Sequence, residues 1–145
     1  NLDQNLRKAK LAWLHLNDEL YPIYEKITET INDINDTFFK YDLNHFEPFQ
    51  FSEYNVSSFF KKHIDSGYDK YFSRKLSVSI QLTDENEYEG GDLRLYPYDF
   101  EHFETAPRKK GTAILFRSNL IHEITPIIKG KRNSLVSWIH GPRLK

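Results

Sequence analysis

At 145 residues, with 39% hydrophobic and 15% aromatic content, the chain is long enough for one folded domain and too short for two ordinary ones. Lys and Arg total 20 against 21 Asp and Glu, a formal net charge of -1 that lacks the basic excess of a phosphate-neutralising protein, so nucleic acid is not the expected partner. Cysteine is absent, which rules out disulfides, thiolate metal sites and cysteine nucleophiles and leaves His, Asp, Glu or backbone oxygen to hold any metal.

Residues 1–17 follow neither a helical nor a strand period and read as a short strand or irregular lead-in, with Leu6, Leu11, Trp13 and Leu14 unevenly spaced. From Asn17 the pattern sharpens. Leu20, Ile23, Tyr24, Ile27, Ile31 and Ile34 recur at three- and four-residue spacings, predicting an amphipathic helix over about 17–36, capped by Asn17 or Asp18. Pro22 is tolerated in its first turns, where the amides have no intrahelical partner. Strands are then predicted at Phe46 to Tyr54, Leu76 to Thr83, Asp92 to Tyr96, Thr112 to Phe116, Ile121 to Ile124 and Ser134 to His140. Leu76 to Leu82 alternates apolar and polar residues, as a strand with one buried face does. Gly90-Gly91, Lys110-Gly111 and Lys129-Gly130-Lys131 mark turns, and Lys129, Lys131, Arg132, Arg143 and Lys145 form a basic crowd near the C-terminus. A helix followed by many short strands predicts a mainly-β single domain over 1–145, with a helical part at about 17–36 and a sandwich or closed jelly-roll core at about 46–142. No apolar run approaches the ~20 residues that span a bilayer, and the amino end lacks signal-peptide features, so a cytoplasmic protein without membrane contact is expected.

The spacing His63-Ile64-Asp65 lets an imidazole and a carboxylate on one face of a strand end reach one metal. Alone it means little and reads first as a surface His and Asp beside a turn. A second histidine, His122, in an apolar strand changes the balance, because two imidazoles and one carboxylate on one face of Fe(II) leave three coordination positions open. Arg132, ten positions later at a predicted strand start neighbouring that of His122, offers a planar fork suited to a carboxylate. The other histidines are set aside: His45-Phe46-Glu47 and His102-Phe103-Glu104 lack the surrounding pattern, and His15 and His140 read as structural. Trp13 and Trp138 are expected in the core, and Lys61-Lys62 on a solvated edge. The segment Pro97 to Lys110, with Tyr96, Tyr98, Phe100, Phe103 and Pro107, is expected to overhang the mouth of the barrel as a substrate lid or an ordinary insertion.

Arg74 to Leu82, Tyr88-Glu89-Gly90-Gly91-Asp92-Leu93, Lys110 to Phe116, His122 to Pro126, Gly130-Lys131-Arg132 and Ser137-Trp138-Ile139 form an ordered series over about residues 38–142. It resembles the prolyl 4-hydroxylase-like branch of the 2-oxoglutarate and Fe(II) dioxygenases, nearest the small bacterial and phage members and the PKHD-type hydroxylases. The resemblance implies a double-stranded β-helix (jelly-roll, cupin-like) core, iron on His63, Asp65 and His122, and 2-oxoglutarate anchored by Arg132. It further implies Tyr54 lining the cosubstrate pocket and Ser134 assisting at the same carboxylate. Gln81 stands where some members place a pocket aromatic, and Phe60 where collagen-type relatives have tyrosine. The implied activity consumes 2-oxoglutarate and O2, releases succinate and CO2, takes ascorbate as a candidate reductant, and hydroxylates a peptidyl proline or similar C–H bond. A free amino acid, nucleobase or other small molecule is the alternative substrate class, and a catalytically silent jelly-roll binding module the alternative outside enzymes. The expected setting is the cytoplasm of a bacterium or phage-infected host, and no feature of the sequence speaks to oligomeric state.

Overall fold

The computed structural model describes residues 5–67 and 73–142; Arg143 and Lys145 of the basic crowd lie outside them. The lead-in forms two short strands, β1 (Arg7–Lys8) and β2 (Lys10–Leu14). The helix α1 (Tyr21–Ile34) begins later than the spacing predicts. Asn17 is used one turn upstream, where its side chain accepts the Leu20 N–H at 2.8 Å and its carbonyl the Tyr21 N–H at 2.9 Å. Beyond Ile34 the chain winds on through a π-helical turn, Asn35–Phe39, closed by Lys40 at φ +57°. The buried Asn35 then clamps the exit, accepting the Tyr41 N–H at 3.0 Å and donating to the Tyr41 carbonyl at 2.8 Å. The stripe docks unevenly: Ile31 is buried and Tyr24 packs its ring 4.3 Å from that of Phe49, whereas Ile23 is 48% exposed.

Six strands form close to their predicted positions: β4 (Phe49–Tyr54), β6 (Arg74–Gln81), β8 (Leu93–Tyr96), β10 (Ala113–Arg117), β11 (Ile121–Ile124) and β13 (Arg132–His140). Glu47-Pro48 splits off β3 (His45–Phe46). Four more, β5 (Phe59–His63), β7 (Tyr88–Gly90), β9 (Glu104–Thr105) and β12 (Ile127–Gly130), are too short or too rich in charge and glycine to show a period. They make one sheet in the order β10-β6-β13-β4-β2, with β3 paired to β13, and a second in the order β1-β5-β11-β8-β9, while β7 and β12 pair separately. Every pairing is antiparallel. The two sheets enclose a double-stranded β-helix.

The alternation of β6 proves to have a different meaning from one wet and one dry face. Leu76, Val78 and Ile80 cluster with Ile139 under Ile31 of α1. Their polar neighbours Ser77, Ser79 and Gln81 are buried as well, on the side facing the barrel interior. A central strand covered by a helix on one side and a second sheet on the other has no solvent face, so its polar residues line the lumen. Full burial of one such aliphatic side chain stabilises by about 1.5–3 kcal/mol, which locates the main helix-to-sheet contribution at Ile31, Leu76 and Ile139. Trp13 departs from its expected core position. On edge strand β2 it is 47% exposed, with its ring 6.3 Å from that of buried Trp138.

Candidate metal centre

In the second sheet β5 and β11 are neighbours, with His63 opposite His122 and Phe60 opposite Ile124. Three steps of β5 therefore face two of β11, a bulge that turns both Phe60 and His63 inward and stacks their rings 3.5 Å apart. Asp65 follows in the turn after β5, its N–H donating to the Ser118 carbonyl at 2.8 Å. The result is convergence: Asp65 Oδ1 lies 3.3 Å from Nε2 of His63 and 3.3 Å from Nε2 of His122, and the three ligand atoms lie within 4.8 Å of one another.

Each imidazole is oriented from behind. Nδ1–H of His63 donates to the Lys61 carbonyl at 2.6 Å and Nδ1–H of His122 to the Leu120 carbonyl at 2.8 Å, which aims both Nε2 atoms at the carboxylate, where each can carry a proton towards Asp65 or, deprotonated, bind a metal. Burial by itself would raise the Asp65 carboxyl, but the charge and hydrogen bonding of the two imidazoles outweigh it and hold the group well below the usual carboxylate range. Burial lowers His63, whereas in His122 the same burial is outweighed by the Asp65 charge and hydrogen bond, which raise it. An ionised carboxylate beside two imidazoles is the donor set of a divalent-metal site.

Tyr54, Phe60, Phe116, Ile124, Val136 and Trp138 wall the cavity around this triad. Arg132 comes from the opposite sheet: β13 pairs with β3, β4 and β6 and not with β11, so its strand does not neighbour that of His122. Nor does Arg132 belong to a basic surface turn, being 1% exposed. Its guanidinium sits 5.7 Å over the ring of Tyr54, its cross-strand partner, and Ser134 Oγ accepts from it at 3.5 Å. Gln81, Tyr88, Pro107 and Arg108 line the small space beside it, where Gln81 Nε2 donates to the Tyr88 hydroxyl at 2.8 Å. Burial pushes the Tyr54 hydroxyl up to about 12, so Tyr54 is a neutral donor.

Arg132 Nε and Trp138 Nε1 have no hydrogen-bond partner among the described residues, and His63 Nε2 meets nothing but the Asp65 carboxylate, 3.3 Å away and outside good hydrogen-bond geometry. Among the described residues no carboxylate lies within ion-pair distance of Arg132. The converging donor atoms of the triad and a fully buried cation with no carboxylate in reach among the described residues fit a metal at the triad and an anion in the small space at Arg132, and so fit Fe(II) and 2-oxoglutarate.

Residue types alone do not reveal everything at this centre. Asp65 Oδ2 accepts from Ser77 Oγ at 2.7 Å, and Ser77 Oγ lies 2.9 Å from Ser118 Oγ; nothing in the sequence distinguishes these serines from others. Trp138 is buried as expected but is also cavity wall. His140 and His45 stack at 4.2 Å outside the triad, and exposed His102 pairs with Asp99 at 2.6 Å. The segment expected over the mouth runs partly along the sheet instead: β9 pairs with β8, Phe103 packs against Tyr96, and Arg108 is tied to Asp92 and to the Gly90 and Tyr88 carbonyls. A wider cleft lies elsewhere, between α1 and the β3–β4 turn, with no cluster of metal-ligating groups.

Residues 49–140 match the model of the 2OG-Fe(II) oxygenase superfamily, and the chain belongs to that family. It is 34% identical over 81 residues to a PKHD-type hydroxylase of Synechococcus sp. (strain CC9605), covering 54% of this chain and 35% of that protein. A PKHD-type hydroxylase of Shewanella oneidensis is 30% identical over 100 residues, covering 66% of this chain and 44% of that protein. The chain thus spans less than half the length of these curated relatives. Among solved structures, a Pseudomonas putida prolyl-4-hydroxylase superposes with a TM-score of 0.79 at 21% identity, covering 97% of this chain and 76% of that one. The viral collagen prolyl hydroxylase of Paramecium Bursaria Chlorella virus-1, in its 2OG complex, gives 0.72 at 21% identity, covering 94% and 81%. These likenesses bear out the double-stranded β-helix. No helix among the described residues is long and apolar enough to cross a membrane.

Proposed function

We propose that this chain is the catalytic domain, one domain throughout, of an Fe(II)- and 2-oxoglutarate-dependent dioxygenase that hydroxylates a peptidyl proline. The observation that carries the reading is the pairing of an oriented His63–Asp65–His122 triad in one cavity with a buried Arg132, without a carboxylate in ion-pair reach among the described residues, in the small space beside it, Tyr54 and Leu93 standing between the two. Proline in a peptide is the favoured substrate because the relatives similar in sequence are PKHD-type hydroxylases and those similar in fold include prolyl hydroxylases, one in complex with a peptide fragment.

In this reading His63, Asp65 and His122 hold iron on one face. When bound, iron and 2-oxoglutarate supply the oxidising chemistry, in which the cosubstrate loses CO2 to become succinate and one oxygen atom of O2 enters a C–H bond of the substrate. Arg132 holds the distal carboxylate of the cosubstrate with Ser134 beside it, and Tyr54, neutral at working pH, donates a hydrogen bond into the same pocket. Phe60, Phe116 and Trp138 keep water away from the reacting atoms. A reducing cytoplasm, which keeps iron ferrous, is the compartment that suits this chemistry, with ascorbate as a candidate reductant.

Anaerobic titration with Fe(II) and then 2-oxoglutarate tests the reading, with a weak visible charge-transfer band expected. Adding O2 and proline-bearing peptides is then expected to give succinate and a peptide heavier by one oxygen atom. No band at saturating iron and cosubstrate would sink the enzyme assignment; a band with succinate but no modified peptide would sink the substrate class alone.

A further inference from the structure

Asp65 offers two oxygens, and the fold treats them differently. Oδ1 faces both imidazoles, 3.3 Å from each Nε2. Oδ2 points away and accepts from Ser77 Oγ at 2.7 Å. The Ser77 and Ser118 hydroxyls lie 2.9 Å apart, and both residues are 1% exposed. The direction of this chain is set by chemistry. An ionised carboxylate only accepts, so the Ser77 hydroxyl spends its single proton on Oδ2 and must accept from the Ser118 hydroxyl. Ser118 is itself pinned, its N–H donating to the Lys75 carbonyl at 2.9 Å and its carbonyl accepting the Asp65 and Ser66 N–H groups at 2.8 and 3.0 Å. The Arg74 guanidinium closes the back of the turn on the Asp65 carbonyl at 3.4 Å.

We infer that Ser77 and Ser118 form a latch that keeps Asp65 a one-oxygen ligand, so that three positions on the metal stay open for the chelating cosubstrate and for dioxygen. A carboxylate can bind a metal through one oxygen or both. With Oδ2 bonded to Ser77 the second mode is closed; without that bond Oδ2 is free to swing round and occupy a position that 2-oxoglutarate needs. Ser77 and Ser118 are thus positioning residues, acting through Asp65, and their loss falls on cosubstrate binding more than on metal binding. This rests on the functional reading above.

The test measures two affinities separately under anaerobic conditions in the wild type, Ser77→Ala and Ser118→Ala: Fe(II) by calorimetry, then 2-oxoglutarate by the charge-transfer band of the iron-loaded protein. Cooperative unfolding first establishes that each variant is folded. Replacing a residue behind a metal ligand commonly costs about 10–100-fold in metal affinity or activity. Here the expected split is an iron affinity within about threefold of wild type in Ser77→Ala and a 2-oxoglutarate affinity at least about tenfold weaker, with Ser118→Ala intermediate because Ser77 keeps its donor but loses the group that orients it. Unchanged cosubstrate affinity in both variants overturns the latch. Parallel loss of iron and cosubstrate overturns it too, because the serines would then be serving the whole centre and not the mode of one ligand. If the wild type takes up no iron, the functional reading falls and the latch with it, a result distinguishable from either of the others.

Discussion

Replacing Arg132 with methionine should stabilise the ligand-free chain while abolishing its response to 2-oxoglutarate. The guanidinium is 1% exposed, its Nε has no partner, its hydrogen bond to Ser134 is 3.5 Å long, and the Tyr54 ring is 5.7 Å away. Burial accordingly lowers its proton affinity, offset by the nearby Tyr54 and Tyr88. Taking such a charge out of water costs several kcal/mol, roughly. A cation–π contact near the limit of its range returns about 0.5–1 kcal/mol, and a long hydrogen bond returns about 1 kcal/mol at most. The shortfall of about 1–3 kcal/mol is what an apolar side chain of similar length removes, and at about 3 °C per kcal/mol for a chain of this size it corresponds to a Tm higher by about 3–9 °C. In the wild type with iron, 2-oxoglutarate at about 100 times its Kd should add roughly 2.7 kcal/mol, whereas Arg132→Met should show no such shift. The assay is thermal unfolding of both proteins, anaerobically, with and without cosubstrate. A lower Tm for the ligand-free variant would mean that Arg132 is already satisfied by the fold, and a retained 2-oxoglutarate shift would mean that it is not the anchor; either refutes the reasoning.

His63→Ala and His122→Ala should each lose iron binding by calorimetry, whereas His102→Ala, on an exposed side chain, should bind as wild type does. Gly130 has φ +80°, and a Cβ there would come 2.1 Å from the Glu87 carbonyl oxygen, so Gly130→Ala should lower stability by about 1–3 kcal/mol in urea unfolding. A pH effect comes from Glu47 and His140, which lie outside the triad. Burial would raise the Glu47 carboxyl, but its hydrogen bonds from Arg74 at 2.7 and 3.0 Å and from His140 at 2.8 Å hold it below the ordinary value, and burial lowers His140, whose Nδ1 accepts from Ser73 at 2.7 Å. With both depressed in the folded state, the unfolded chain binds more protons, so stability is lost as pH falls: below about 6.5 through His140, then below about 4.3 through Glu47. Urea midpoints measured down this range should fall, with His140→Gln flattening the upper part; a midpoint that rises on acidification would contradict the assignment.

Much of this protein is written in the order of its residues. A three-to-four-residue apolar spacing suffices for α1, because a helix closes its own hydrogen bonds and needs only one face to dock. Runs such as Leu76 to Gln81 suffice for the long strands, and the ordered motifs suffice for the family and for picking out the two histidines that converge on Asp65. What the sequence could not settle is what depends on which strands meet. The alternation of β6 is the same whether its serines face water or a lumen, and only closure of two sheets made them the lining of a site and put Ser77 against Asp65. Arg132 looks like part of a basic turn until β13 pairs with β4 and buries it over Tyr54. The short β5 shows no period of its own, and a bulge against β11 aims Phe60 and His63 inward together. Local pattern fixes which residues prefer to be helical or extended, but a strand's partners and the direction of its polar face are long-range choices, made by the burial of both sheets at once.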